Sequence, residues 1–368
     1  MKLKQYEIIF DNIIFSKQRR GGISNYWFEL IKNYQNNDNV FFYEDQCALD
    51  NIYRASLKLD NLIAHKQLPL LLSRILPISY KSNTDNLLYH SSYYRKLKTN
   101  ARVCEFVTVH DFIHDYFSPI VNRWVHNNLK YNAIKRANGI ICVSNNTYSD
   151  LKKFYQLRNK QKITVIYNGV SEDYRPIANN VSYNLQIDLN LNLNNNNFLL
   201  YVGERAKYKN FDFVVRLLQE LPNYNLIVVG NEFSKDEKLK INKTVLQRIG
   251  VVKDISNIEL NLLYNYAHAL LYPSNYEGFG IPLVEAMKAG CPVIALNSSS
   301  IPEVTGNAGI LIDRLDKSIF LKKIKELEVM SIRKEYIDAG LQNAKRFSWE
   351  KCSSETNDFY MEVYKTHI

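Results

Sequence analysis

The sequence predicts an α/β protein built from two doubly wound domains, and three observations predict it. The chain has 368 residues, beyond the roughly 250–300 at which a single core stops growing. Short apolar runs alternate with amphipathic stretches almost from end to end, as parallel strands covered by helices on both faces require. The alternation occurs twice, once on each side of segment 171–197. That segment holds the run Leu-Asn-Leu-Asn-Leu-Asn-Asn-Asn-Asn and has the composition of a surface linker or a loosely held loop.

Taken in order, the first half offers strands at 6–15, 40–43, 87–90, 103–109, 139–143 and 162–167, with helical patterns at 25–34 and 122–136. The second half offers strands at 198–202, 225–229, 269–272, 292–296 and 309–312. Helices there fit 210–221, 235–249, 256–267 and 282–289. Ser256 with Glu259 three residues on has the form of a capping box, and Pro282 suits a first helical position. The domains are expected over 1–180 and 181–348.

Composition narrows the function classes. Hydrophobic residues make up 46% and charged residues 23%, which is ordinary for a folded soluble protein. With 26 Tyr and 17 Phe, much of the core must be aromatic. The net charge of +10 is spread along the chain, as on a solvated basic surface or one loosely attracted to anionic lipid. No basic heptad helix, Cys/His finger or aromatic RNA-binding strand is present, which argues against nucleic acid. The five cysteines, Cys47, Cys104, Cys142, Cys291 and Cys352, are odd in number and lack metal-ligand spacing, which points to buried thiols in a reducing, cytoplasmic compartment. The N-terminus reaches Glu7 and Asp11 before any long apolar run, so no signal peptide is expected. No run of 18 apolar residues spans a membrane.

In open parallel sheets, ligands bind at the carboxyl ends of strands. Glycine is scarce, 13 in 368, and Gly21, Gly22, Gly203, Gly230, Gly278 and Gly280 all fall where a strand hands over to a helix. Glycine there lets the backbone approach a ligand, and helix starts offer free N–H groups to an anion such as a diphosphate. Such turns also use glycine for structure alone. Beside Gly203 lie Arg205 and Lys209, two cations able to neutralise a departing diphosphate. The segment Glu277-Gly278-Phe279-Gly280-Ile281-Pro282-Leu283-Val284-Glu285 places one carboxylate in a loop and one in the helix that follows. Each can accept from a different hydroxyl cluster of one elongated ligand, with Phe279 and Ile281 as packing. His110 and Asp111 close a strong strand. A lone histidine there is more often structural, but Asp111 and the strand-end position keep it a candidate. Ser144 or Asn145 is expected to cap the next helix rather than to bind a ligand.

The Glu277…Glu285 spacing resembles the E-x7-E motif of retaining glycosyltransferases of family 4, which have the GT-B architecture. Gly-Gly-Ile-Ser-Asn-Tyr-Trp (21–27), Val-Thr-Val-His-Asp (107–111), Cys-Val-Ser-Asn-Asn-Thr (142–147), Tyr-Asn-Gly-Val (167–170), Tyr-Val-Gly-Glu-Arg-Ala-Lys-Tyr-Lys-Asn-Phe (201–211) and Phe-Ser-Trp-Glu (347–350) follow in family order. The first and fifth are most similar to the mannosyltransferase-B-like branch, whose members build bacterial surface polysaccharides. The resemblance implies two Rossmann-like domains facing a cleft, with helix 349–368 crossing back to complete the first. It implies that Arg205 and Lys209 contact the donor diphosphate, that Glu277 meets the sugar hydroxyls and that Glu285 binds the ribose. Gly22 would approach the diphosphate, and His110 the transferred sugar. Gly203, Gly278, Phe279 and Gly280 would line the donor, with Val252 and Glu259 near the base. No metal and no cofactor are implied. The partners implied are a sugar nucleotide, with GDP-mannose suggested by the branch, and a glycan or lipid-linked glycan at the inner membrane face. Glu204 departs from the pattern by adding a negative charge beside Arg205.

Two other classes share these features. One is a sugar-nucleotide epimerase or phosphorylase on the same fold. An epimerase needs no acceptor, and a phosphorylase carries a pyridoxal visible by absorbance. The other is a non-catalytic nucleotide- or glycan-binding partner, against which the complete set Arg205, Lys209, Glu277 and Glu285 argues.

Overall fold

The structure, a computed structural model, describes residues 6–65, 69–117, 119–177 and 197–367. The chain divides into two compact units, Met1–Gly169 with Trp349–Ile368, and Val170–Ser348. The division falls after Gly169 rather than at 180/181. The reason is local: the backbone N–H groups of Arg175 and Ile177 donate to the side chains of Asn261 and Asn265, within the second unit. Most of the expected linker lies outside the described residues.

In the first unit the strands are β1 (Glu7–Asp11), β2 (Val40–Asp45), β3 (Leu62–His65), β4 (Ile78–Ser79), β5 (Asn86–Ser91), β6 (Leu97–Lys98), β7 (Arg102–Val109), β8 (Gly139–Cys142) and β9 (Lys162–Val165). Seven of them form one sheet in the order β3-β2-β1-β5-β7-β8-β9, and β4 pairs with β6. The pairings are parallel, with Ile8 beside Val40 and Leu88, and Phe106 beside Gly139. Near-continuous apolar runs such as Ile8, Ile9 and Phe10 are buried, as a sheet covered on both faces demands. The core is as aromatic as the composition implies: Phe10, Tyr26, Trp27, Phe42, Phe106 and Tyr360 pack in one cluster.

The helix Trp349–His367 belongs to this unit. Trp349, Cys352, Phe359, Tyr360 and Val363 are buried in the same cluster. The Phe359 and Tyr360 rings lie 5.9 and 4.6 Å from that of Phe106.

In the second unit the strands are β10 (Phe198–Val202), β11 (Asn225–Val229), β12 (Ile249–Val252), β13 (Ala269–Tyr272), β14 (Val293–Leu296) and β15 (Gly309–Ile312). Their order is β12-β11-β10-β13-β14-β15, all parallel. From β10 the chain builds outward to β11 and β12, then returns to place β13 on the other side. The crevice at the carboxyl ends of β10 and β13 is therefore a topological switch point. In the first unit the reversal lies between β1 and β5.

Four expectations are corrected. The first strand stops at Asp11, and Ile13–Lys17 is helical. The Asp11 carboxylate accepts from the N–H of Ile13 and turns the chain. The helix expected over 235–249 splits into Lys235–Lys240 and Lys243–Leu246, because Ile241 is extended and Asn242 caps the second piece through the N–H of Thr244. The residues after it form β12, which periodicity missed, as it missed β3. Both are outermost strands of four residues, and the helical reading of 235–249 takes in the first residue of β12. Pro282 is the second helical residue, not the first, in the helix Ile281–Ala289. The capping box of Ser256 and Glu259 is present, and Ser144 caps the helix Asn145–Phe154 through the N–H of Thr147.

Candidate functional site

Three loops meet at the switch point of the second unit. Loop 203–210 follows β10, loop 273–280 follows β13, and loop 297–300 follows β14. The first two are joined by backbone and side chain: the N–H of Asn275 donates to the Tyr208 carbonyl at 2.8 Å, and the Asn210 amide donates to that of Pro273 at 2.7 Å. Asn210 adopts a left-handed φ of 53°, a conformation asparagine tolerates.

Lys209 and Glu277 cross this junction. The Lys209 ammonium lies 3.0 Å from the Glu277 carboxylate, with both side chains largely buried. The Tyr272 hydroxyl also hydrogen-bonds Glu277, and burial followed by the Glu277 charge raises its pKa well above the ordinary value. Tyr201 is raised for the same two leading reasons. Gly203 has φ 131°, and a Cβ there would stand 3.4 Å from the Lys209 ammonium. The positive φ, rather than the space beside Lys209, is what favours glycine here.

The loop carrying Glu277 is clamped from β14. The Ser299 hydroxyl accepts from the Glu277 N–H at 2.8 Å. The Ser300 hydroxyl donates to the carbonyls of Glu277 at 2.9 Å and Phe279 at 3.1 Å. Phe279 packs edge-on against Phe347 at 5.5 Å. Gly280 begins the next helix with φ 93°, where any side chain is strained and a Cβ would meet Leu283 at 2.8 Å. Gly278 is buried in the same loop. Glu285, in that helix, accepts from the Tyr264 hydroxyl at 2.9 Å.

Arg205 lies at the far side of the loop after β10, paired with an acid. Its Nε donates to Glu237 at 2.8 Å, and its Nη atoms donate to the carbonyls of Asn231 at 2.6 Å and Glu232 at 2.8 Å. The guanidinium also lies 4.4 Å from the Phe233 ring centre. Glu237 closes a capping box with Ser234, and Arg205, with that box, pulls its carboxyl down to about 2. Glu204 is exposed, and its carbonyl accepts from the Tyr201 hydroxyl. Val252 ends β12 and is buried, its carbonyl accepting from the Gly230 N–H. Glu259 is occupied by its capping box, accepting from Ser256 at 2.7 Å.

In the first unit Gly22 opens the helix Gly22–Ile31. The His110 ring packs edge-on against Tyr26 of that helix at 4.9 Å, and burial lowers its pKa to about 4. Behind it runs a buried relay: Tyr26 hydroxyl to Thr108 hydroxyl at 3.0 Å, Thr108 to His90 Nε2 at 3.1 Å, and His90 Nδ1 to the Tyr360 hydroxyl at 2.5 Å.

Sequence reasoning missed Glu237, Tyr264, Tyr272 and the serines 298–300. Ser234 with Glu237 had a readable capping signature, and the three serines follow a strand. The tyrosines lay inside apolar runs and gave no separate signal. Among the described residues, no group of three or more His, Cys, Asp or Glu is arranged to hold a metal ion. No described helix is long and apolar enough to cross a membrane.

Comparison with known proteins follows the two units. Residues 20–174 match the family model described as Glycosyltransferase Family 4, and residues 186–342 match Glycosyl transferases group 1. The chain is 35% identical over 175 residues to O-antigen chain mannosyltransferase B of Escherichia coli, covering 44% of this chain and 45% of that one. It is 28% identical over 228 residues to O-antigen chain mannosyltransferase RfbU of Salmonella typhimurium, covering 60% of each. The matched region thus spans less than two thirds of either relative. Among solved structures, Anabaena HepE in complex with UDP-glucose superposes with a TM-score of 0.71 at 15% identity, covering 97% of this chain and 99% of that one. At that identity the likeness shows the fold.

Proposed function

The chain belongs to glycosyltransferase family 4, with the two Rossmann-like units of the GT-B architecture, and from that membership we propose that it is a retaining, metal-independent hexosyltransferase. It moves a hexosyl unit, mannose by its relatives' names, from a nucleoside diphosphate sugar to a hydroxyl of a growing surface glycan. The observation that carries this is the Lys209–Glu277 pair at the switch point, 3.0 Å apart and backed by two buried tyrosines. Such a pair offers a cation to a diphosphate and an acceptor oxygen to a sugar hydroxyl side by side.

In the proposed reaction the acceptor oxygen attacks C1 from the face the diphosphate leaves. The C1–O bond breaks, its electron pair goes to the diphosphate oxygen, and the acceptor proton passes to that leaving phosphate. Lys209 stabilises the charge that develops, the contribution usually largest in such sites. Arg205 adds to it once it exchanges Glu237 for the diphosphate. Glu277 orients the sugar through its hydroxyls, and Glu285, beside Tyr264, takes the ribose. Gly203, Gly278, Phe279 and Gly280 offer backbone to the diphosphate and sugar. Val252 and Glu259 flank the base, Glu259 once it leaves its capping box. Gly22 and His110 keep the roles that family resemblance implies, toward the diphosphate and the transferred sugar. A cytoplasmic site at the inner membrane face is part of this proposal.

The test is a panel of sugar nucleotides screened by ligand-observed NMR, followed by turnover with the one that binds. Lys209→Ala should cut turnover by about 10²–10³-fold, the scale for losing one electrostatic stabiliser. Near-normal turnover in that variant would reject the proposal.

A further inference from the structure

A second set of cations lies in the first unit, on residues given no role above. Lys17 ends the helix Ile13–Lys17, just after β1. Arg74 sits in the helix Leu70–Ile75, and Tyr93 follows β5. The elements bearing Lys17 and Tyr93 therefore flank this unit's own switch point. The Lys17 ammonium lies 3.3 Å from the centre of the Tyr93 ring, and the Arg74 guanidinium 4.9 Å from the same centre. Arg74 Nη2 also donates to the Tyr93 hydroxyl at 2.9 Å. Arginine can only donate, so the tyrosine oxygen accepts there, and the same hydroxyl shares a hydrogen bond with His126 Nδ1, 2.9 Å away. The His114 ring lies 4.0 Å from that of His126.

Among the described residues, neither Lys17 nor Arg74 has a carboxylate partner. The nearby acids are Asp115 and Asp111, and the Asp111 charge reaches Tyr93. Asp115 takes Lys130 and Asn127, each at 2.8 Å, and one oxygen of Asp111 accepts from the Ile113 N–H at 3.0 Å. The Nε of Arg74 is buried with no acceptor. Burial and the neighbouring Arg74 charge lower Lys17 to about 7. Two half-buried cations thus share one ring, and the buried Arg74 Nε is a donor left without an acceptor.

We propose that Lys17, Arg74 and Tyr93, with His126 behind them, form a subsite for a phosphate group of the acceptor. This deepens the transferase reading and rests on it. The chemistry recognised is a phosphate ester, which a lipid-linked acceptor and a water-soluble phosphorylated glycan share. The surroundings favour the lipid-linked form: Leu72, Ile75 and Leu76, in or next to the helix that carries Arg74, are exposed at 46%, 52% and 44%. An exposed apolar strip beside paired cations suits a phosphate that continues into a hydrocarbon chain.

The experiment uses the full chain with saturating nucleoside diphosphate, and follows the His126 and His114 imidazole signals by NMR. Two probes are titrated: inorganic pyrophosphate and a short-chain prenyl diphosphate. Both should shift the His126 signal. Arg74→Gln and Lys17→Gln should each weaken binding by about tenfold or more, the scale of a lost charge-assisted hydrogen bond. Arg74→Lys should restore most of it, and Tyr93→Phe should uncouple the His126 signal while the protein stays folded. The prenyl probe should bind more tightly than pyrophosphate, and equal affinities would overturn the lipid-linked assignment. Unchanged binding in Arg74→Gln, or a His126 signal indifferent to both probes, overturns the subsite. A chain that binds no nucleoside diphosphate yet shows the Arg74-dependent shift would sink the transferase reading alone.

Discussion

Arg205 is held by Glu237. Its Nε donates to that carboxylate at 2.8 Å, while two backbone carbonyls take its remaining reach. The cation proposed to meet a donor diphosphate therefore has an anionic partner already, and a diphosphate must compete with it.

Replacing Glu237 by glutamine tests that competition. Glutamine keeps the capping box but removes the charge, so nucleoside diphosphate affinity should rise several-fold, by about 1 kcal/mol for a half-exposed pair. Calorimetry showing equal or weaker binding would count against it. The pH dependence follows from the lowered carboxyl. The stabilising pair is intact above the ordinary value of 4.5 and is lost as pH falls toward about 2. The stability gap between wild type and Glu237→Gln should therefore hold from pH 8 to 5 and narrow below.

Ser300 is fully buried and ties the Glu277 loop to the strand beside it. Ser300→Ala leaves two carbonyls short of a donor, at a cost of about 1–3 kcal/mol. The protein should remain folded, with donor KM raised more than kcat is lowered. Steady-state kinetics with unchanged KM would remove Ser300 from the site.

His110 should be neutral across the physiological range. Its folded pKa of about 4 lies below the ordinary 6.5, so the unfolded chain takes up a proton that the folded chain refuses. Stability should accordingly fall as pH drops from 6.5 to 4, by at most about 1.4 kcal/mol per pH unit for this residue. The His110 imidazole signal in an NMR titration should not move above pH 5.5. A midpoint near 6.5 would show that the ring is solvated.

Phe359 anchors the C-terminal helix against Phe106, and a Cβ at Gly139 would come within 3.0 Å of it. Phe359→Ala should destabilise the first unit by about 3–5 kcal/mol. Denaturant unfolding should show that unit's transition moving while that of Val170–Ser348 stays in place.

The alternation of strand and helix, the two sheets it implies, and the positions of Lys209, Glu277 and Glu285 after strands were all legible in the order of residues. Those features are local: periodicity, glycine placement and capping signatures involve neighbours within a few residues. Ser256 with Glu259 and Ser144 with Thr147 were legible for that reason. Tertiary structure alone decided what the charges do. Arg205 finds Glu237 across 32 positions, Lys209 finds Glu277 across two strand-end loops, and Lys17 and Arg74 meet over Tyr93 without an acid. It also decided that β3 and β12 exist, each pairing with one neighbour at the edge of its sheet. A charge's partner depends on which strand ends the sheet order brings together, and that order is not written in the spacing of residues along the chain.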